Sequence, residues 1–311
     1  MVAPAQTTTA AVPLAAEHVR TEVSSGNKLP LGRQLLLQAI CLFIAFTVLF
    51  PILWVVGISI NPADVAHPKE IIPSGATLDA YARVLKQPTR NSVSFPELAS
   101  NSFKLAAGTS FFSVLIGVSA AYAFSRFRFM GRETLMLGIL GVLMLPSVAT
   151  IAPLYVMLNG VKLGDFNLRN SLWGVGLALI SGGLPFAIWN LKGYIDTIPK
   201  ELEEAALIDG ASRNQVFTRI ILPLTTPALA VTAFFGFLTG WTEFALSWQF
   251  LEDPKDFTLG MVLNGMTGQY TSVPWSDFSA MALLVALPVS VVYLFLQRYI
   301  VSGLTLGGVK G

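Results

Sequence analysis

Charge is what this sequence has least of. Only 12% of its 311 residues are Asp, Glu, Lys or Arg, while 53% are hydrophobic and the mean hydropathy is +0.64. Ordinary soluble domains carry about 25% charged residues, so the composition reads as a polytopic membrane protein. Cysteine is nearly absent. Cys41 stands alone, which excludes an intrachain disulfide, and it lies in an apolar run as a small packing residue. The two histidines, His18 and His67, lie outside the apolar runs and far apart. No His/Cys cluster has metal-ligand spacing, and no Ser-His-Asp or Cys-His arrangement is available. No G-x-x-x-x-G-K-[ST] occurs, so the chain has no phosphate-cradling loop of that kind. A net charge of +2 without a basic-aromatic patch argues against nucleic acid. The expectation is a chain that is not an enzyme and holds no metal or cofactor.

What is present is a series of long apolar runs. Six can cross about 30 Å of hydrocarbon, near 35–60, 103–125, 134–157, 171–191, 225–250 and 278–300. The expected fold class is therefore all-α, with six transmembrane helices occupying 31–311. Residues 1–30 are rich in Ala, Thr, Pro and Ser without an apolar period, and read as a disordered cytoplasmic tail rather than a signal peptide.

Lys and Arg set the orientation. With both termini inside, inner segments hold 12 of these residues and outer segments 8. Five of the eight lie between Asn61 and Lys104, balanced by acidic neighbours; without that segment the count is 12 against 3. The inner cluster RFRFMGR, 126–132, is the clearest anchor. The first outer loop, about 40 residues with several prolines, is long enough for short helices at the membrane face. The last, about 251–277, holds Gly260, Gly265, Gly268 and Trp275, and reads as a shaped turn or a flexible connector.

Small residues recur where helices could meet closely, as Ser113, Gly117 and Ala121 in the second span and Gly236-x-x-x-Gly240 in the fifth. Pro146, Pro153, Pro185 and Pro288 remove backbone donors within spans. A kink is the commoner outcome of such a proline; if a span does break, Ser181-Gly182-Gly183 before Pro185 is the expected place. Glu243 is the one carboxylate placed within a span. It is either an intramembrane functional group or a residue wetted at the span's outer end.

The inner segment 192–224 is polar and ordered. Pro199 can open a helix, and Glu201, Glu203 and Glu204 occupy its first turns, where acidic groups favour the positive helix end. Ala205 and Ala206 keep the helix slim, Gly210 can end it in a left-handed cap, and Ser212-x-x-Gln215 fits a capping box for a second helix ending at Pro223. A solvated amphipathic connector would show the same caps.

The residues that separate these readings are Glu204-Ala205-Ala206, then Gly210, then Ile220, Leu222 and Pro223: EAA-x3-G-x9-I-x-L-P with no position missing. This pattern resembles the cytoplasmic signature of bacterial ABC-importer permeases of the type I fold. Together, SDFSAMALLVALP and the ending RYIVSGLTLGGVKG resemble the carbohydrate branch of that family, most of all its MalG-type maltose/maltodextrin subunits. The similarity runs over about 35–311. It implies a permease with no cofactor of its own, ATP being bound by a partner ABC ATPase homodimer. It further implies a second, unlike permease, an extracytoplasmic sugar-binding protein and a bacterial inner-membrane location. By the resemblance, Glu204 to Gly210 with Ile220, Leu222 and Pro223 couple to the ATPase. The tail 303–311, with Gly303, Leu304, Gly307, Gly308 and Lys310, reaches between the ATPase subunits, and the last outer loop probes the binding protein. No sugar-binding residue is implied.

Related sugars, such as trehalose, other oligosaccharides or the glycerol-3-phosphate class, are alternatives within the family. A secondary transporter would show two similar halves with charged pairs at the midplane, and neither is found. A membrane scaffold would leave the mid-span prolines and the EAA pattern unexplained.

Overall fold

The computed structural model describes residues 30–89, 91–268 and 273–307. The expected N-terminal tail thus lies outside the described residues except for Pro30. Among those described, the order is α1 (Leu31–Ser59), α2 (Asp79–Lys86), α3 (Phe95–Arg126), α4 (Arg132–Val142), a 3-10 turn (Ser147–Thr150) and α5 (Ile151–Asn159). A hairpin of two-residue strands, β1 (Lys162–Leu163) and β2 (Phe166–Asn167), leads to α6 (Leu172–Ile195). Then come α7 (Glu201–Ile208), α8 (Arg213–Val216), a π-helical turn (Phe217–Ile221), α9 (Leu222–Leu224) and α10 (Thr226–Trp241). The chain closes with α11 (Ala245–Phe250), a 3-10 turn (Pro254–Asp256), α12 (Leu259–Gly268) and α13 (Trp275–Gly307).

Four helical stretches, α1, α3, α6 and Trp275–Tyr299 of α13, are long and apolar enough to span a membrane. Two bent pairs raise the number to six if each counts as one span: Arg132–Val142 with Ser147–Asn159, bent by 100°, and Arg213–Leu224 with Thr226–Trp241, bent by 75°. The chain divides into two units, Met1–Pro51 and Ile52–Gly311. The described part of the first is the apolar amino-terminal portion of α1.

In the second unit α3 is the central post, with α6 and α10 packed along it. The approach is close because glycines remove the side chains in the way. A Cβ on Gly117 would stand 3.0 Å from the Cβ of Ala187 in α6. One on Gly236 would stand 2.9 Å from Ser110 Cα, and one on Gly240 only 2.6 Å from Ala106 Cα. Both spacings singled out in the sequence are therefore helix contacts, the second pinning α10 to α3. At the end of the bundle away from the 192–224 loop, a hydrophobic cluster joins α2, α3, α10, α12 and α13 around Leu98, Leu259 and Met281, all buried. The segment between α1 and α3 carries a helix there, α2.

Three expectations are corrected. α6 runs unbroken through Ser181-Gly182-Gly183 and Pro185. Pro185 itself is buried, and packing holds the helix across the missing donor. The chain breaks instead around Pro146, where α4 ends and the 3-10 turn begins; α4 buries no residue that would hold a continuous helix. The fifth apolar run, 225–250, does not form one helix either. α10 stops at Trp241, and Glu243 lies beyond it, accepting hydrogen bonds from the backbone N–H of Leu246 (2.5 Å) and Ser247 (3.4 Å) at the start of α11. Glu243 is thus a half-buried helix cap, not a carboxylate within a span.

Candidate functional site

Local chemistry shapes the 192–224 loop. α7 begins two residues after Pro199, with Glu201, Glu203 and Glu204 in its first turn. It ends at Gly210, whose φ of +88° lies in the left-handed region. Ala211 N–H donates to Ala206 O (2.9 Å) and Gly210 N–H to Leu207 O (3.1 Å), the paired bonds of a Schellman cap. Ser212 then opens α8 with a reciprocal capping box: Ser212 N–H donates to Gln215 Oε1 (2.7 Å), and Gln215 N–H to Ser212 Oγ (3.3 Å). α8, the π turn and α9 continue as one rod to Leu224, and the chain bends at Thr225 into α10. Glycine is required at 210 because a side chain in the left-handed region costs about 1–2 kcal/mol.

The signature residues divide by exposure. Glu204, Ala205 and Gly210 are exposed, and beside them Ile208 is 86% exposed, with Leu202 and Leu207 also open. Ala206, Ile220 and Leu222 are half-buried, and Ala206 and Leu222 pack on a cluster that includes Val216, Ile221 and Leu191. Pro223 is exposed. One face of α7 thus anchors the loop, while the other presents apolar side chains to whatever lies beyond the chain.

Beneath that face is a buried ionic group that sequence reasoning had split into unrelated parts. Arg126, the last residue of α3, pairs with Glu203 of α7, their side chains 7% and 11% exposed. Arg126 Nη2 also donates to Ile195 O (3.0 Å) and Ile198 O (2.8 Å), so one guanidinium ties α3, the end of α6 and α7 together. Tyr122 OH donates to Glu203 Oε2 (3.1 Å), and its ring lies 4.8 Å from that of Phe217 in the π turn. Ser125 Oγ donates to Asp196 Oδ1 (2.5 Å), and Lys192 Nζ to Asp196 Oδ2 (2.6 Å). Burial pushes the Asp196 carboxyl up, but its bonds to Lys192 and Ser125 outweigh that and hold it below the usual range. Arg126 had been read only as an orienting charge and Glu203 only as a helix-end acid. Their separation of 77 residues hid the pair.

At the opposite end, the last outer loop is shaped. Asn101 Nδ2 of α3 donates to Lys255 O (2.6 Å) and Phe257 O (3.1 Å), and Leu259 N–H donates to Ser102 Oγ (2.8 Å). A Cβ on Gly260 would come within 2.6 Å of Glu243 O. Of the tail residues, Gly303, Leu304 and Gly307 continue α13 as helix. Gly308 and Lys310 lie outside the described residues.

Residues 113–306 match the family described as the binding-protein-dependent transport system inner membrane component. The chain belongs to this family. The permease is 36% identical over 269 residues to the galactooligosaccharides transport system permease protein GanQ of Bacillus subtilis, covering 86% of this chain and 93% of that one. It is 36% identical over 281 residues to the maltose/maltodextrin transport system permease protein MalG of Escherichia coli, covering 87% and 93%. It is 34% identical to the trehalose/maltose transport system permease protein MalG of Thermococcus litoralis, covering 90% and 98%. Among solved structures, a chain of a bacterial ABC transporter involved in import of the acidic polysaccharide alginate has the same fold. The TM-score is 0.71 at 22% identity, covering 85% of this chain and 95% of that one. The permease is therefore a multi-pass inner-membrane component of an importer rather than an enzyme.

Proposed function

We propose that this permease is half of the translocation pathway of an ATP-driven importer for a maltose/maltodextrin-class sugar. The observation that carries the coupling role is the complete EAA signature on a rigidly capped helix with an open apolar face. On this reading Glu204, Ala205, Ala206 and Gly210 enter a groove on the ABC ATPase dimer, and Ile220, Leu222 and Pro223 carry the displacement into α10. A helix closed by a Schellman cap at its C-terminus and held beneath by Arg126 moves as one piece, which is what a coupling element requires. Gly303, Leu304 and Gly307, with Gly308 and Lys310 beyond, reach the ATPase subunits. The last outer loop meets an extracytoplasmic sugar-binding protein, both termini are cytoplasmic, and a second, unlike permease completes the pore. The MalG-named relatives support the maltose assignment. GanQ, at equal identity, supports a second reading, a galacto-oligosaccharide.

The test is co-purification of this chain with its ATPase and second permease, followed by uptake in proteoliposomes with binding protein. Stable association and import of maltodextrins but not galacto-oligosaccharides support the first reading. The reverse preference selects the second, and failure to retain any ATPase refutes the coupling role.

A further inference from the structure

Near the middle of α3, α6 and α10 lies a cavity of about 370 Å³, lined among others by Thr109, Ser113, Phe186, Thr232, Phe235 and Thr239. Its size falls at the small end of the range of about 300–1,000 Å³ for ligand sites. No lining residue is charged. The space exists because α6 turns Gly183 toward α3: the nearest atom to a Cβ there would be Ser113 Oγ, 3.9 Å away. The cavity has a mouth, since Thr239 and Phe235 at its edge are exposed.

Two hydroxyls in its lining stand out. Thr109 and Ser113 are 2% and 3% exposed, and neither Thr109 Oγ1 nor Ser113 Oγ has a hydrogen-bond partner in the protein. Other hydroxyls in these same helices satisfy themselves on the carbonyl four residues back, as Ser119, Thr232 and Thr239 do. A buried hydroxyl left unpaired is destabilising and needs a partner from somewhere. Of the other hydroxyls in the lining, Thr232 Oγ1 accepts from Asn190 Nδ2 (3.1 Å). Phe186 and Phe235 also line it, their rings edge to face at 5.4 Å.

Uncharged hydroxyls and aromatic rings in one lining suit a neutral ring molecule with an apolar C–H face and hydroxyls on its edge. An inorganic ion would call for a charged or carbonyl-rich lining, and an acyl chain would leave both hydroxyls unpaired. We infer that this cavity is a sugar-contact subsite carried by this subunit. It takes one ring of a neutral oligosaccharide, with the Thr109 and Ser113 hydroxyls rotating about χ1 to meet the sugar's hydroxyls. The inference rests on the carbohydrate reading above and deepens it by placing part of the sugar path on this chain.

The experiment uses the whole complex in proteoliposomes with binding protein, supplied with labelled maltose, maltotriose or a galacto-oligosaccharide. The double variant Thr109→Val/Ser113→Ala keeps shape and removes both hydroxyls. At equal complex yield, sugar uptake falls about tenfold, and the ratio of short- to long-sugar uptake shifts, which a defect of assembly does not produce. Uptake and ratio both unchanged overturn the inference. Should the double variant fail to assemble, Thr239→Cys in a Cys41→Ser background reports instead. Sugar slows labelling of that rim cysteine by a small thiol reagent; equal labelling with and without sugar overturns the subsite. If the wild-type complex imports none of these sugars, the carbohydrate reading fails and the subsite with it. Import by an unaffected variant removes the subsite alone.

Discussion

Arg126→Met isolates the buried pair beneath the 192–224 loop. In the native protein the guanidinium meets Glu203 with both side chains about nine-tenths shielded, and it also caps Ile195 O and Ile198 O. Methionine preserves much of the volume but removes every donor. Glu203 then keeps only the Tyr122 hydroxyl (3.1 Å), and two carbonyls lose a partner. Breaking one side of a buried pair costs about 3–5 kcal/mol, whereas replacing both partners by apolar groups is often near neutral. The single variant should therefore lower the unfolding midpoint of the purified complex by on the order of 10 °C. Arg126→Met/Glu203→Leu should recover most of that loss, giving a large favourable interaction term in the double-mutant cycle. The recovered variant also separates stability from coupling, because it restores packing but not the charged tie between α3 and α7. Sugar transported per ATP hydrolysed should remain lowered in it. A single variant within about 2 °C of wild type, or a double variant no better than the sum of the singles, refutes the argument.

Gly210→Leu should cost about 1–2 kcal/mol from its left-handed backbone alone, since no atom of this chain lies within 4 Å of the added Cβ. Gly210→Asn should retain more coupling than Gly210→Leu, as read by uptake per ATP, because Asn tolerates that region. Gly260→Val forces a side chain onto Glu243 O and should lower sugar uptake while sparing association with the ATPase; loss of association with normal uptake per complex contradicts the assigned role of that loop. The Asp196 carboxyl lies below its ordinary value of 3.8, so its stabilisation is complete above that pH and is lost as pH falls through the folded value. The stability gap between wild type and Asp196→Asn should be constant from neutral pH to about 5 and close below 3.8, as measured by thermal unfolding against pH. Deleting 304–311 should leave the spans inserted but reduce binding-protein-stimulated ATP hydrolysis per complex, and unchanged hydrolysis with unchanged yield shows those residues to be dispensable.

The sequence was most legible where structure is decided within a few residues. Gly210 and the Ser212–Gln215 box are local hydrogen-bond problems with few solutions, and both solutions appear in the fold. The glycines at 117, 236 and 240 announced close helix contacts, but not that α6 meets the first and α3 the other two, because spacing carries no address. Proline was the poorest guide. Pro185 loses the same donor as Pro146, yet α6 is held by its packing on α3 while α4 has no buried residue to hold it. The loop was legible as a helix, a glycine cap and a second capped helix, and illegible as an ionic latch. Arg126 and Glu203 look like two ordinary inner-face charges until the fold brings them together, and the unpaired Thr109 and Ser113 hydroxyls could not be told in advance from those that bond their own helix.

The π-helical turn at Phe217–Ile221 has a consequence for how this loop tolerates change. A π turn holds one residue more than the α-helical path it replaces. Deleting a single residue there can restore an ordinary helix without breaking or turning the rod, because four α-helical residues at about 100° each cover nearly the rotation of the five they replace. The exposed face of α7 would then keep its present bearing relative to α10, whereas losing a residue from α-helix on either side of the turn would swing it by about 100°, with every side chain of the EAA signature still in place. Those five residues thus give the rod a slack of one position that its α-helical neighbours do not have.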